Sequence, residues 1–221
     1  MRSSFILVVS ILLLAGCSSD PSKTQEAGKP TDTAALSLPD TDAAAAGQCW
    51  VAIGIKERKG EVFSIETMSK IYYLSAVVAR DTPGDKPFPD KIADVTNQNP
   101  ENESYIRSNA DALARLCKAR FTKLDSAPSE LPEDGFDRAM RCYLASNLLI
   151  GSMQGADQVN YPEKARLNAV ANAAQSYFSD DRLKAKGISS TEGFAKARIE
   201  ATRDATLAGR LDLIAAQCPD S

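Results

Sequence analysis

The chain of 221 residues contains no histidine. That absence removes the imidazole base of Ser-His-Asp and Cys-His nucleophile systems, the imidazole metal ligand, and the one side chain that ordinarily titrates near neutrality. Tryptophan occurs once, and there is no Cys-x-x-Cys pair, no glycine-rich phosphate loop and no Ser-x-x-Lys dyad. Basic residues number 26 against 29 acidic ones, a formal charge of −3, without the clustered cations that displace phosphate counterions. Nucleic acid is therefore not an expected partner. No stretch alternates in polarity long enough to make a strand. What remains is an ordinary globular composition, 43% hydrophobic and 25% charged, on a chain long enough to bury a core.

The N-terminus reads as an address. Arg2 precedes an apolar run, Phe5 to Leu14, that reaches about 15 Å as a helix, half of a roughly 30 Å hydrocarbon core. It is thus a signal peptide and not a span. Leu14-Ala15-Gly16-Cys17 follows at once. This tetrapeptide resembles the lipobox of bacterial lipoproteins, which implies cleavage before Cys17 and lipidation of its thiol and amine. Ser18 after the cysteine implies sorting to the outer membrane, facing the periplasm, where the host has two membranes. Several acyl chains make such an anchor durable. Ser18 to Ala35 holds no aromatic and no branched aliphatic residue. It reads as a flexible tether of about 20–25 Å root-mean-square span. The expected organisation is a leader over 1–16, an anchor and tether over 17–35, and two helical repeats over 36–130 and 131–221, which together could form one domain.

The repeats emerge when the chain is compared with itself at a shift of 93. Leu38-Pro39-Asp40 falls on Leu131-Pro132-Glu133, Ala46 on Ala139, and Cys49-Trp50-Val51-Ala52 on Cys142-Tyr143-Leu144-Ala145. Each half reads as three helices. The first follows the Leu-Pro-acidic lead-in, with cysteine in mid-helix and Trp50 or Tyr143 as a packing anchor. The second starts at Ser64 or Pro162. The earlier copy should bury Ile65, Met68, Tyr72, Ser75 and Ala79, and the later one runs on to Tyr177 and Phe178. The third starts at Asn99-Pro100 or at a Ser189 to Glu192 capping box and presents one continuous apolar face, Ile106 to Leu124 or Phe194 to Cys218. The expected fold is all-α, two tandem three-helix units.

Once Cys17 is lipidated, four thiols remain in an exported chain, and three pairings are open to them. The duplication selects Cys49 with Cys117 and Cys142 with Cys218, one structural bridge per half.

Two places could hold chemistry. The segment from Asp81 to Asn99 reads as the longest irregular stretch, and its Asp85, Phe88, Asp90 and Asp94 form a candidate binding loop. Its acids, like those of Glu133-Asp134-Gly135-Phe136-Asp137, lack calcium-loop spacing, so no metal or other cofactor is expected. Glu103-Ser104 is similar to the Glu-Ser pair of lytic transglycosylases, which implies a general acid at Glu103, though Tyr105-Ile106-Arg107 departs from that family's usual continuation. A glutamate in a first helical turn is also what the helix dipole favours. Asp111 with Arg115 and Asp137 with Arg141 have the spacing of solvated i,i+4 pairs. The expectation is a membrane-anchored envelope protein that works by binding a protein or cell-wall partner, as an inhibitor, an immunity factor or an assembly accessory. The alternative is a carboxylate-dependent enzyme acting on peptidoglycan or another glycan.

Overall fold

In the computed structural model, which describes residues 36–58, 63–97, 102–126, 130–153 and 162–220, the halves follow each other as helices α1 (Asp42–Glu57), α2 (Ile65–Asp81), α3 (Phe88–Thr96), α4 (Glu103–Ser108) and α5 (Ala110–Arg120), then α6 (Gly135–Ser152), α7 (Pro162–Gln175), α8 (Asp180–Ala185), α9 (Thr191–Ala208) and α10 (Leu211–Ala216). A 3-10 turn, Thr122–Leu124, follows α5. Among the described residues there is no strand, so the fold is all-α. The leader, Cys17, the tether and the Asn99-Pro100 start signal lie outside the described residues.

The shift of 93 carries the first residue of α1 onto the first residue of α6, and the cap with it. Thr41 Oγ1 accepts the Ala44 N–H at 3.3 Å, and Asp134 Oδ1 accepts the Phe136 and Asp137 N–H groups at 2.9 and 3.0 Å. Threonine and aspartate differ in charge but both satisfy free N–H groups of a first turn. The carbonyls of the preceding lead-in are held alike, from different places. Arg120 of α5 donates to Pro39 O and Asp40 O, and Arg138 of α6 donates to Pro132 O and Glu133 O.

Each half then closes in the same way. α1 packs on α2 and α5, and α6 packs on α7 and α10. Disulfides Cys49–Cys117 and Cys142–Cys218 tie α1 to α5 and α6 to the turn just after α10, with Cα separations of 5.6 and 5.8 Å. The pairing inferred from the repeat is the pairing present.

Five expectations need correction. Neither third helix is continuous. In the first half it breaks at Asn109, whose side-chain amide donates to Tyr105 O at 2.9 Å and competes with the helix for that carbonyl. In the second it breaks at Gly209, with φ 130° and ψ −129°. The start of α9 is capped by Ser190, which accepts the Gly193 N–H at 3.0 Å, and not by Ser189. α7 stops at Gln175, so Tyr177 and Phe178 lie in the following turn. The supposedly irregular 81–99 contains α3, opened by Pro89 in its first turn. Finally, α2 buries far more than one stripe. It touches α1 and α3, and also α6, α9 and α10 of the other half, so residues 36–221 pack as one unit.

The joint at Gly209 yields a prediction. Its backbone lies where only glycine is comfortable, and a Cβ there would meet the Lys123 backbone oxygen at 3.4 Å. Gly209→Ala should lower stability by about 1–3 kcal/mol. Gly151→Ala, in the last turn of α6 with open space around its Cβ, should be neutral or raise stability by up to about 1 kcal/mol. Paired denaturant titrations check both, and equal effects would contradict the assigned backbone.

Candidate functional site

The sequence-derived candidates occupy two separate places. Glu103 sits in the first turn of α4 and pairs with Arg107 at 2.5 Å, both side chains well exposed. Tyr105 beside it is 47% exposed. Asp85, Asp90 and Asp94 are exposed, and Asp94 pairs with Lys86 at 2.7 Å. Phe88 is half-buried against Ala76, Ala79 and Ile92. Lys91 donates to Thr82 O at 2.7 Å, which fastens α3 back to the end of α2. α3 lies against α2 and α9, so this segment acts as a strut across the two halves rather than an open loop. Among the described residues no group of three or more His, Cys, Asp or Glu is placed to hold a metal.

Between the halves lies a chain of charges that sequence spacing did not reveal. Lys70 of α2, its side chain 3% exposed, pairs with Glu57 at 2.9 Å and Glu66 at 2.8 Å. Glu66 also meets Arg210 at 3.2 Å, and Arg210 forks onto Asp212 at 2.7 and 2.5 Å. The Asp212 N–H donates to Ser69 Oγ at 3.0 Å. Burial pulls the Lys70 ammonium down, but its hydrogen bonds to Glu66 and Glu57 more than offset this and leave its pKa raised. The Lys70 hydrogen bond holds Glu66 below the usual carboxylate range. A lysine kept charged in this way is neither a base nor a nucleophile at neutral pH. The network is a clasp joining α1, α2 and α10. Lysine in mid-α2 was the only signal for it, and an amphipathic reading places that lysine on the solvent face.

A recess lies between α6 and α9, a groove of about 580 Å³. Its position follows from the way α8 and the start of α9 cross α6. Phe136, Met140 and Leu144 of α6 are buried beneath half-buried Phe178, Leu183, Ile188 and Phe194. Phe178 stands edge-on to Phe136, Tyr143 and Phe194 at centroid distances of 5.5 to 5.7 Å. The turn after α8 is latched by Lys186, which pairs with Asp134 at 2.9 Å and Asp137 at 3.2 Å. Hydrogen bonding from Lys186, with backbone N–H groups adding to it, lowers the Asp134 pKa.

This latch corrects the expected Asp137–Arg141 pair. Asp137 turns to Lys186, and Arg141 is left half-buried in the groove wall with no hydrogen-bond or ion-pair partner among the described residues. Asp111 likewise pairs with Lys56 of α1 at 3.0 Å in place of Arg115. Tertiary neighbours outcompete i,i+4 pairs that are worth only tenths of a kcal/mol. Across the groove, α9 presents Lys196, Glu200 and Asp204, which also lack such partners. The repeat shows that helix packing does not demand this opening. Gln48, equivalent to Arg141, has its amide oxygen buried.

Trp50 and Tyr143, equivalent in the repeat, both pack between helices. Trp50 lies against the cores formed with α2 and with α4 and α5, and Tyr143 lies beside Phe136 and Phe178. Comparison of the chain with protein-family models, curated proteins and solved structures found no match.

Proposed function

We infer that the protein is a lipid-anchored envelope protein whose disulfide-stapled helical domain acts by non-catalytic binding of a partner in that compartment. The observation that carries the reading is the pair of intramolecular disulfides, one in each half, which form and persist where thiols are not kept reduced. Such a compartment is where a leader ending in Leu14-Ala15-Gly16-Cys17 would deliver the chain. Among the described residues no helix is long and apolar enough to cross a membrane. Attachment then falls to Cys17. Binding is favoured over glycan hydrolysis by the setting of Glu103, which is exposed and paired with Arg107. Sugar hydrolysis needs two opposed carboxylates held about 5 to 9 Å apart, and the carboxylate of Glu103 is engaged by Arg107.

The test is crosslinking of the full-length lipidated protein in its native envelope, with mass spectrometry of what is attached, beside a cell-wall lysis assay of the protein and its Glu103→Gln variant. A reproducible protein or cell-wall adduct, with no lytic activity in either form, is the expected result. Lysis that disappears in Glu103→Gln while the fold is retained would replace binding with catalysis.

A further inference from the structure

We propose that the groove between α6 and α9 binds a short peptide bearing carboxylates and a free amine on a largely small-side-chain backbone, the chemistry of the stem peptides of the bacterial cell wall. This inference rests on the envelope reading above and names the partner class for it. A volume of about 580 Å³ lies within the roughly 300–1,000 Å³ of small-ligand sites, room for a few residues and too little for a domain face. Arg141 supplies the first determinant. The residue is half-buried, its guanidinium has five N–H donors in a planar fork suited to a carboxylate, and it has lost Asp137 to Lys186. Lys196 adds a second cation on the opposite wall.

Glu200 and Asp204 supply the complementary determinant, an acceptor pair for an ammonium group. They follow Lys196 at spacings of four along α9, so one helix face offers a cation and then two anions. Ala197 and Ala201 line the groove on the same helix and leave room for a ligand backbone to lie close.

The same features discriminate among ligands. A glycan strand without peptide would leave all four charges unmatched. A polyanion would face Glu200 and Asp204. An amphipathic helix would need an open apolar floor, whereas Phe136 and Met140 are buried.

The experiment is calorimetric titration of the full-length lipidated protein in detergent micelles. The titrants are a free cell-wall stem peptide containing a diamino acid, the same peptide with its side-chain amine acetylated, the peptide-free disaccharide, and a protein-derived peptide of equal net charge with large side chains. Saturable binding of the free stem peptide is expected, with no response to the disaccharide. Arg141→Ala and the double variant Glu200→Gln with Asp204→Asn should each weaken it by about tenfold or more. Acetylation should cost as much in the parent and nothing further in the double variant. These groups have no partner to lose, so thermal midpoints should stay unchanged and misfolding is separately visible. Absence of stem-peptide binding, or equal binding by the variants, overturns the assignment. Tighter binding of the large-side-chain peptide gives the groove to a protein segment instead. Failure here with Cys17 lipidated overturns the groove alone, whereas a native chain found to carry no lipid at Cys17 and yet to bind the stem peptide overturns the envelope anchor alone.

Discussion

Under mild reduction of the folded protein, Cys142–Cys218 should open first, while Cys49–Cys117 resists until the domain unfolds. The two bridges span 68 and 76 residues. On the chain-entropy account each is therefore worth about 4 kcal/mol, and loop length does not separate them. Their surroundings do. Cys49 and Cys117 are 0% exposed, within helices, in the core with Ile53, Tyr73, Leu74 and Phe121. Cys218 is 6% exposed and lies beyond the end of α10. Cys142 and Pro219 border a recess of about 370 Å³. Fraying of the last turn exposes the second bridge to an attacking thiolate, whereas the first requires global opening. Timed dithiothreitol treatment, alkylation and peptide mapping should label Cys142 and Cys218 well before Cys49 and Cys117. Equal rates or the reverse order would contradict the packing described.

The second large effect concerns the clasp. Arg210→Met removes the group that joins Glu66, Asp212 and the Leu124 carbonyl. Lys70→Met removes the principal cation facing Glu57, whose side chain is 19% exposed and keeps a 3.3 Å hydrogen bond from the Thr67 hydroxyl and a 3.8 Å contact with Lys118. Stranding a partly buried carboxylate costs roughly 3–5 kcal/mol when the site is dry. Water at half-exposed Glu66 reduces that, so about 2–3 kcal/mol is expected for each variant. Because each cation still holds Glu66 when the other is lost, the double variant should cost at least the sum of the single changes. Lys86→Ala, which breaks the exposed pair with Asp94, should move stability by less than about 0.5 kcal/mol.

The pH dependence follows from the same groups. Glu66 has a depressed folded pKa, so its contribution is present above the ordinary glutamate value and fades as pH falls through the folded one. Lys70 has a raised folded pKa, so its contribution is complete below the ordinary lysine value and is lost only as pH climbs through the folded one. Stability should therefore be flat across neutrality and drop in acid, and less steeply in Lys70→Met. Chemical denaturation at a series of pH values checks this.

Much of this architecture was legible in residue patterns, for identifiable reasons. Proline, cysteine and an aromatic recurring together mark a repeated first helix. A repeat with one cysteine pair per copy leaves little freedom in pairing them. Ser64 and Pro162 are local signals, and both helices start where these residues place them. What escaped were features decided by distant neighbours. Phe88 is an exposed aromatic in a proline-rich loop until Ala76 and Ala79 are brought beneath it. Asp111 and Asp137 take lysines from other elements over their own i+4 arginines. The second break, at Gly209, escaped within what reads as one continuous face, although glycine inside an apolar period is a sign of unusual φ. Asn109 marked the first less clearly. The α6–α9 groove left no signature of its own, since it forms where α8 and the start of α9 cross α6 and its free Arg141 depends on Lys186 taking Asp137.

The central claim is a doubly stapled domain held to a membrane at Cys17. Intact-mass measurement of the protein extracted from its native membranes, without reduction and after treatment with a thiol-alkylating reagent, tests both parts at once. The account predicts a chain that begins at Cys17, carries acyl chains on it and gains no alkyl group. A chain that retains the leader, a Cys17 without lipid, or four alkylated cysteines would contradict it.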